Sequence, residues 1–257
     1  MGNNPINWKA RYQRGFISSY NINLVYQKNP WVVAWWSIAF PGLGYILLGK
    51  SLKGIIFLVW ELIINMKSSI NTAILYSFTG NFDLAKQVVD SRWLLLYVSV
   101  LIFMMWDSYH ITVELNKISI LAEREKPNIE FMALNSLGLN FLKHVNPWLI
   151  AGWSAFMPGL GYLYLQRLNI GVVSLILWIS ISVLSRLYEA IQLTAVGSFN
   201  EVAAVLNPQW FLFLPSILGF VVYGSYVDAV EINKLFKAEQ GSYLEDNYQD
   251  PAFALPV

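Results

Sequence analysis

The sequence predicts an all-α polytopic membrane protein: two tandem parallel repeats, each a PGLG-broken, re-entrant hairpin plus two transmembrane helices. Three observations predict it. First, Asn29–Gly49, NPWVVAWWSIAFPGLGYILLG, recurs at Asn146–Gln166 as NPWLIAGWSAFMPGLGYLYLQ, an offset of 117 residues with 12 of 21 positions identical. Second, 56% of the 257 residues are hydrophobic and only 13% are charged, where a soluble domain carries roughly 25%. Third, 13 of the 17 Lys and Arg fall on one side of the bilayer when each PGLG segment is folded back on itself, as the cytoplasmic enrichment of positive charge requires.

Residues 1–28 carry Lys9, Arg11, Arg14 and Lys28 without an acid, and Trp8, Tyr12 and Phe16 recur every four residues. A helix here would be aromatic on one face and cationic on its flank, suited to an anionic membrane surface. The alternative is a partly ordered tail, which Gly15 and Ser18-Ser19 favour. No apolar core precedes a small-residue cleavage site, so no signal peptide is expected.

Residues 29–117 form the first repeat. From Trp31 only about ten apolar residues precede Pro41, half of the roughly 20 a span needs. Pro41 removes a donor, and Gly42 and Gly44 loosen the helix. The segment is either a kinked span or a re-entrant hairpin. Leu52–Tyr76 and Trp93–Val113 read as spans. Between them, Phe82, Ala85 and Val89 sit at helical spacing and suggest a short interfacial helix. Residues 118–145 form a charged connector, 146–235 the second repeat, and 236–257 an acidic, loose tail. The match needs no gap: Gly54, Phe82 and Trp93 align with Gly171, Phe199 and Trp210, Ser108-Tyr109 with Ser225-Tyr226, and ELNK at Glu114–Lys117 with EINK at Glu231–Lys234. Treating the PGLG segments as full spans would give six helices, an inverted second repeat and a ten-to-seven charge split, so four spans with two re-entrant hairpins fit better. Both termini then face the cytoplasm.

The most specific motif is PGLGY-x3-G-x4-G, seen as Pro41, Gly42, Gly44, Tyr45, Gly49 and Gly54, with Pro158, Gly159, Gly161 and Tyr162 in the second repeat. Non-helical backbone at membrane depth must be buried in protein or line a cavity. The two breaks therefore mark either a shared polar site or a purely architectural turn. PGLGYILLGK and PGLGYLYLQR resemble the glycine-rich turn of TM2-type domains and related small bacterial membrane proteins with a PGLG signature, and Trp106-Asp107 is similar to that family's Trp near an Asp. The resemblance covers about 35 residues per repeat. It implies a protein of the bacterial cytoplasmic membrane without known catalytic residues. Here about 25 extra residues separate the spans.

Other polar residues are candidates. Glu61 lies inside GIIFLVWELIIN, and Arg186 in the equivalent stretch is a possible partner; intramembrane charges are costly and usually inward-facing. Asp107, His110 and Glu114 share one helical face, as do Asp228 and Glu231. Such a face could relay protons or bind a metal, or simply pair with Lys117. The chain has no cysteine, two histidines and no recognised catalytic motif, so no cofactor, metal or enzymatic activity is expected. A net charge of +1 gives no reason to expect nucleic acid. The expected partners are the lipid bilayer and another membrane protein or a second copy. The expected role is a scaffold, assembly factor or partner subunit. The alternative is a small-solute or ion transporter or channel with its site at the two breaks.

Overall fold

The computed structural model describes residues 10–125, 127, 131–136 and 138–249. They are mostly helical. Two helices are long and apolar enough to cross a membrane, or up to four if each of two bent pairs is one span.

The first half opens with a hairpin of β1 (Gly15–Ile17) and β2 (Ile22–Leu24). Ser18 closes its turn by exchanging hydrogen bonds with Asn21. The helix expected across residues 1–28 is therefore absent from the described part. Gly15 and Ser18-Ser19, poor helix formers, sit in the strand and turn, while Trp8 and Lys9 lie outside the described residues. Then come α1 (Pro30–Ala39), α2 (Leu43–Leu47), α3 (Ser51–Ser68), α4 (Ile70–Phe78), α5 (Phe82–Val88) and α6 (Ser91–Glu125). The second half has the same order with one extra short helix, α12: β3 (Met132–Asn135), β4 (Gly138–Phe141), α7 (Pro147–Phe156), α8 (Leu160–Tyr164), α9 (Leu168–Leu184), α10 (Leu187–Ala195), α11 (Phe199–Val205), α12 (Pro208–Phe211) and α13 (Leu214–Tyr248).

Local chemistry explains the element ends. In each NPW the Asn side chain caps a helix, accepting from Trp31 N at 2.9 Å and Trp148 N at 3.0 Å, with Pro at the first turn. Phe40 and Met157 then leave the helix in extended conformation. Gly42 and Gly159 follow at φ +100° and +106°, a region that disfavours a Cβ. The short helices after them fold back: a Cβ on Gly44 would lie 2.6 Å from Val33 O, and one on Gly42 would lie 2.4 Å from Gly54 O. Gly42, Gly44 and Gly54 of PGLGY-x3-G-x4-G thus mark close backbone approach among α1, α2 and α3, while Gly49 sits in open space at φ +76°.

Three expectations need correction. Leu52–Tyr76 is not one straight span: α3 and α4 meet at 62°, with Ser69 at φ 55°. The side chains of Asn65 and Asn71, bonded across the break, hold the bend. The equivalent pair, α9 and α10, is bent by 65° at Arg186. The tail is not loose from residue 236, because α13 continues to Tyr248. The connector begins as helix, since α6 runs to Glu125, and then forms the β3–β4 hairpin. The expected short helix between the spans is present as α5. At 35 residues, α6 and α13 are each about 52 Å long, well beyond the ~30 Å of hydrocarbon.

Two cores join the halves: Val33, Phe40 and Leu47 pack with Tyr162, Ile217 and Phe220, and Ile17 and Ile22 pack with Leu142, Leu165 and Ile232. Gly44→Ala should cost about 1–3 kcal/mol through overpacking, read as a lower unfolding midpoint in detergent. Gly152→Ala, inside α7 where a Cβ meets only open space, is the control and should raise the midpoint slightly through helix propensity.

Candidate functional site

The polar residues singled out in the sequence divide among three clusters. Asp107 on α6 accepts from Tyr45 Oη at 2.6 Å and pairs with Lys53 at the start of α3. His110 does not join it; its ring lies 4.6 Å from Trp106, and Glu114 pairs with Lys117 at 2.8 Å. These three side chains face different partners. Among the described residues, no group of three His, Cys, Asp or Glu side chains could hold a metal.

The second cluster is more deeply buried. Asp228 on α13 pairs with Arg167, the residue before α9, and accepts from Tyr26 Oη at 2.8 Å. Both members of the ion pair are nearly inaccessible, at 5% and 1% side-chain exposure. Lys28 lies 3.2 Å from the Tyr26 ring centre. Burial pushes the Lys28 ammonium down to about 8, while Asp228 pulls it back up. Glu231 stands apart, paired with Lys234 at 2.7 Å. A cavity of about 260 Å³ lies beside this cluster, lined by Arg14, Tyr26, Glu123, Glu231 and Lys234 among others.

The two clusters are not copies. Position 224, equivalent to Asp107, is glycine, and a Cβ there would lie 2.0 Å from Tyr162 Oη. Tyr162 Oη is buried without a hydrogen-bond partner among the described residues, whereas Tyr45 Oη has Asp107. The second half's carboxylate sits one turn later, where it meets Arg167 and a tyrosine from the first half.

The third cluster surrounds Glu61, which is 2% exposed. Its Oε1 accepts from Asn65 at 3.0 Å and from Tyr97 Oη at 3.4 Å. Asn65 and Asn71 in turn bond Gln209 of the second half. Glu61 Oε2 has no partner among the described residues. Arg186 is not brought to Glu61; it caps α10 and pairs with Glu189 while half exposed. The bend at Arg186 turns its side chain away from the interior.

The helix breaks are packed rather than open. Pro41, Gly42, Gly44 and Tyr45 are buried, as are Pro158, Gly159, Gly161 and Tyr162. Gly54 and Leu58 fill the space against Gly42.

Several partners were not legible in the sequence. Asn116 clamps Lys28, accepting from its N–H at 2.8 Å and donating to its carbonyl at 2.7 Å. Asn233 does the same to Val145 at 2.8 and 2.7 Å. Both sit in the matched ELNK and EINK, the signal that could have found them. Gln209, Asn65 and Asn71 left no such trace, since none recurs 117 residues away.

Removing Arg167 leaves a buried, unpaired carboxylate. Arg167→Met should cost about 3–5 kcal/mol, while Lys53→Met, at a partly exposed pair, should cost about 1 kcal/mol or less; thermal unfolding in detergent separates them. Lys28 gives a pH signature. Its native value of about 8 lies below the ordinary 10.5. Between those values the unfolded chain binds more protons, so stability rises as pH climbs through that window. Lys28→Met should abolish the rise in denaturation midpoint.

Compared with protein-family profiles, with characterised proteins and with solved structures, the chain matches none.

Proposed function

We propose that the protein is a non-enzymatic, multi-pass membrane component that holds a partner protein in the bilayer. In this reading it is two tandem parallel repeats, each with a re-entrant α1–α2 or α7–α8 hairpin and two spans. The bilayer is the cytoplasmic membrane of a bacterium, and both termini face the cytoplasm.

Re-entry is supported by where the chain enters and leaves the hairpin. Lys28, just before α1, is clamped by Asn116, and Trp31 lies 4.9 Å from Tyr109. Lys53, after α2, pairs with Asp107. Entry and exit thus both meet α6 within one short stretch, from Asp107 to Asn116. Nearer the start of α6, Tyr97 bonds Glu61 of α3, and Asp90, just before α6, donates its N–H to Ser68 O. The second half has the equivalent entry, with Trp148 lying 4.9 Å from Tyr226. The motif likeness to TM2-type domains agrees with this architecture and carries no chemistry.

The observation that carries the functional reading is the filled break. A transport site at Pro41 and Pro158 needs space, and the glycines there are occupied by neighbouring backbone. Polar groups in the interior are mostly matched with one another. The second reading, a proton or ion path, is favoured by one observation, the unpartnered Glu61 Oε2 inside a network of amides.

Proteoliposomes separate the two. The structural role predicts proton and cation flux equal to that of empty vesicles, and unchanged by Glu61→Gln. Flux above that background that Glu61→Gln abolishes would transfer the assignment to the transporter. The topology is checked by single cysteines in this cysteine-free chain. A membrane-impermeant maleimide should label position 86 from outside intact cells, and not positions 50 or 166; labelling at 50 would make the PGLG segments true spans.

A further inference from the structure

The two halves are joined by a contact that runs in one direction. The β1–β2 hairpin of the first half lies on the second half: Ile22 N donates to Gln166 O at 3.1 Å, and Asn21 bridges Arg167. Ile17 and Ile22 are each only 3% exposed there. Further along, Trp36 packs on Phe220 at 5.5 Å and Phe40 on Phe213 at 5.1 Å. At the far end, Gln209 Oε1 accepts from Thr72 N and Oγ1 at 3.0 and 2.8 Å.

The reciprocal contact is not made. The positions 117 residues after Ile17, Ile22 and Trp36 are Leu134, Leu139 and Trp153, which are 71%, 51% and 43% exposed. The positions 117 residues before Gln166, Phe220 and Phe213 are Gly49, Phe103 and Leu96, and all three are exposed. Joining two similar units through different faces is a heterologous contact, and it leaves one unused copy of each face. The second half keeps a bare covering face, and the first half keeps a bare covered face.

Charge says what fits between them. The position equivalent to Gln209 is Arg92, and the position equivalent to Thr72 is Glu189. Repeating the internal contact between two chains therefore brings Arg92 of one against Glu189 of the other. Arg92 is exposed and Glu189 half exposed, held by Arg186 in the isolated chain. Lipid alone does not account for the bare faces. Leu134 and Leu139 lie on a hairpin outside the candidate spans, where acyl chains do not cover them.

We infer that copies of this chain associate head-to-tail in the membrane. The second half of one copy covers the first half of the next, through the contact that joins its own halves. A ring forms if the repeated rotation closes. This deepens the reading above, on which it rests, by naming the held partner as a second copy of the chain.

Two differently tagged copies test it, one carrying Leu139→Cys and the other Lys50→Cys. These positions are equivalent to Ile22 and Arg167, neighbours across the internal contact. Oxidation in membranes should join the two tags, and neither variant alone should dimerise. Arg92→Glu or Glu189→Arg should each reduce the joined fraction several-fold, and the two together should restore it. Monodisperse elution in detergent shows that each variant is folded. No joined species between folded copies would overturn the inference, as would Leu139→Cys joining only to itself. Vesicle flux is a separate readout. A transporter that still forms the joined species would overturn the structural role alone, and a flux-free chain that never joins would overturn the self-association alone.

Discussion

A helix that breaks inside an apolar chain frees backbone donors and acceptors that hydrocarbon cannot satisfy. Here the breaks at Pro41 and Pro158 are satisfied by the chain itself. Phe40 N returns to Trp36 O at 3.2 Å, Leu43 N to Phe40 O at 3.1 Å and Lys50 N to Tyr45 O at 2.9 Å. Met157, Leu160 and Arg167 do the same in the second half, at 3.0, 3.1 and 2.9 Å. Such self-satisfaction needs the short helix to fold tightly onto the one before it. That closeness is why Gly44 and Gly161 face Val33 O and Ile150 O. It also brings Tyr45 and Tyr162 to the inner surfaces of the two long helices. The bond from Tyr45 to Asp107 is therefore a consequence of the turn.

The same constraint decides what was legible in the sequence. The PGLG break, its recurrence and the short helix at Phe82 could be read because each depends on local chemistry: a missing donor, a permissive φ, an amphipathic spacing. The bend at Ser69 could not. The run Leu52–Tyr76 is uninterrupted by Pro or Gly, apart from Gly54 near its start. Its break rests on Asn65 and Asn71 finding each other and Gln209, which lies 144 residues from Asn65. The hairpin at Gly15–Leu24 was hidden for a related reason. Trp8, Tyr12 and Phe16 imitate a helical period, and Ile17 and Ile22 gain burial only against the second half. The separation of Asp107 from His110 and Glu114 is likewise tertiary: Lys53 and Tyr45 capture the aspartate.

The two halves match in sequence along much of their length but differ in where their buried charges stand. The first half keeps its carboxylate at position 107, partly exposed and paired with Lys53. The second half has glycine at the equivalent position and a carboxylate at 228. Lys50 is exposed, whereas Arg167 at the equivalent position is buried. In that pair Asp228 accepts a hydrogen bond from Tyr26 of the other half. It thereby couples the hairpin strand of one unit to the helices of the next, across the surface where the halves meet.

A buried ion pair is a poor source of net stability, since desolving both charges offsets most of their attraction. Its effect is on choice. Ile111 stands where Asp228 has its equivalent, so the first half offers no carboxylate to a tyrosine arriving by the same route. Position 143, equivalent to Tyr26, is lysine. The internal contact is therefore chemically marked, while the apolar surface it shares with the chain's outer faces is not. The marking distinguishes the internal contact from the outer faces, which lack the Arg167, Asp228 and Tyr26 set. The inferred contact between copies would rest instead on shape, apolar area and the Arg92 and Glu189 charges, without a buried ion pair of its own.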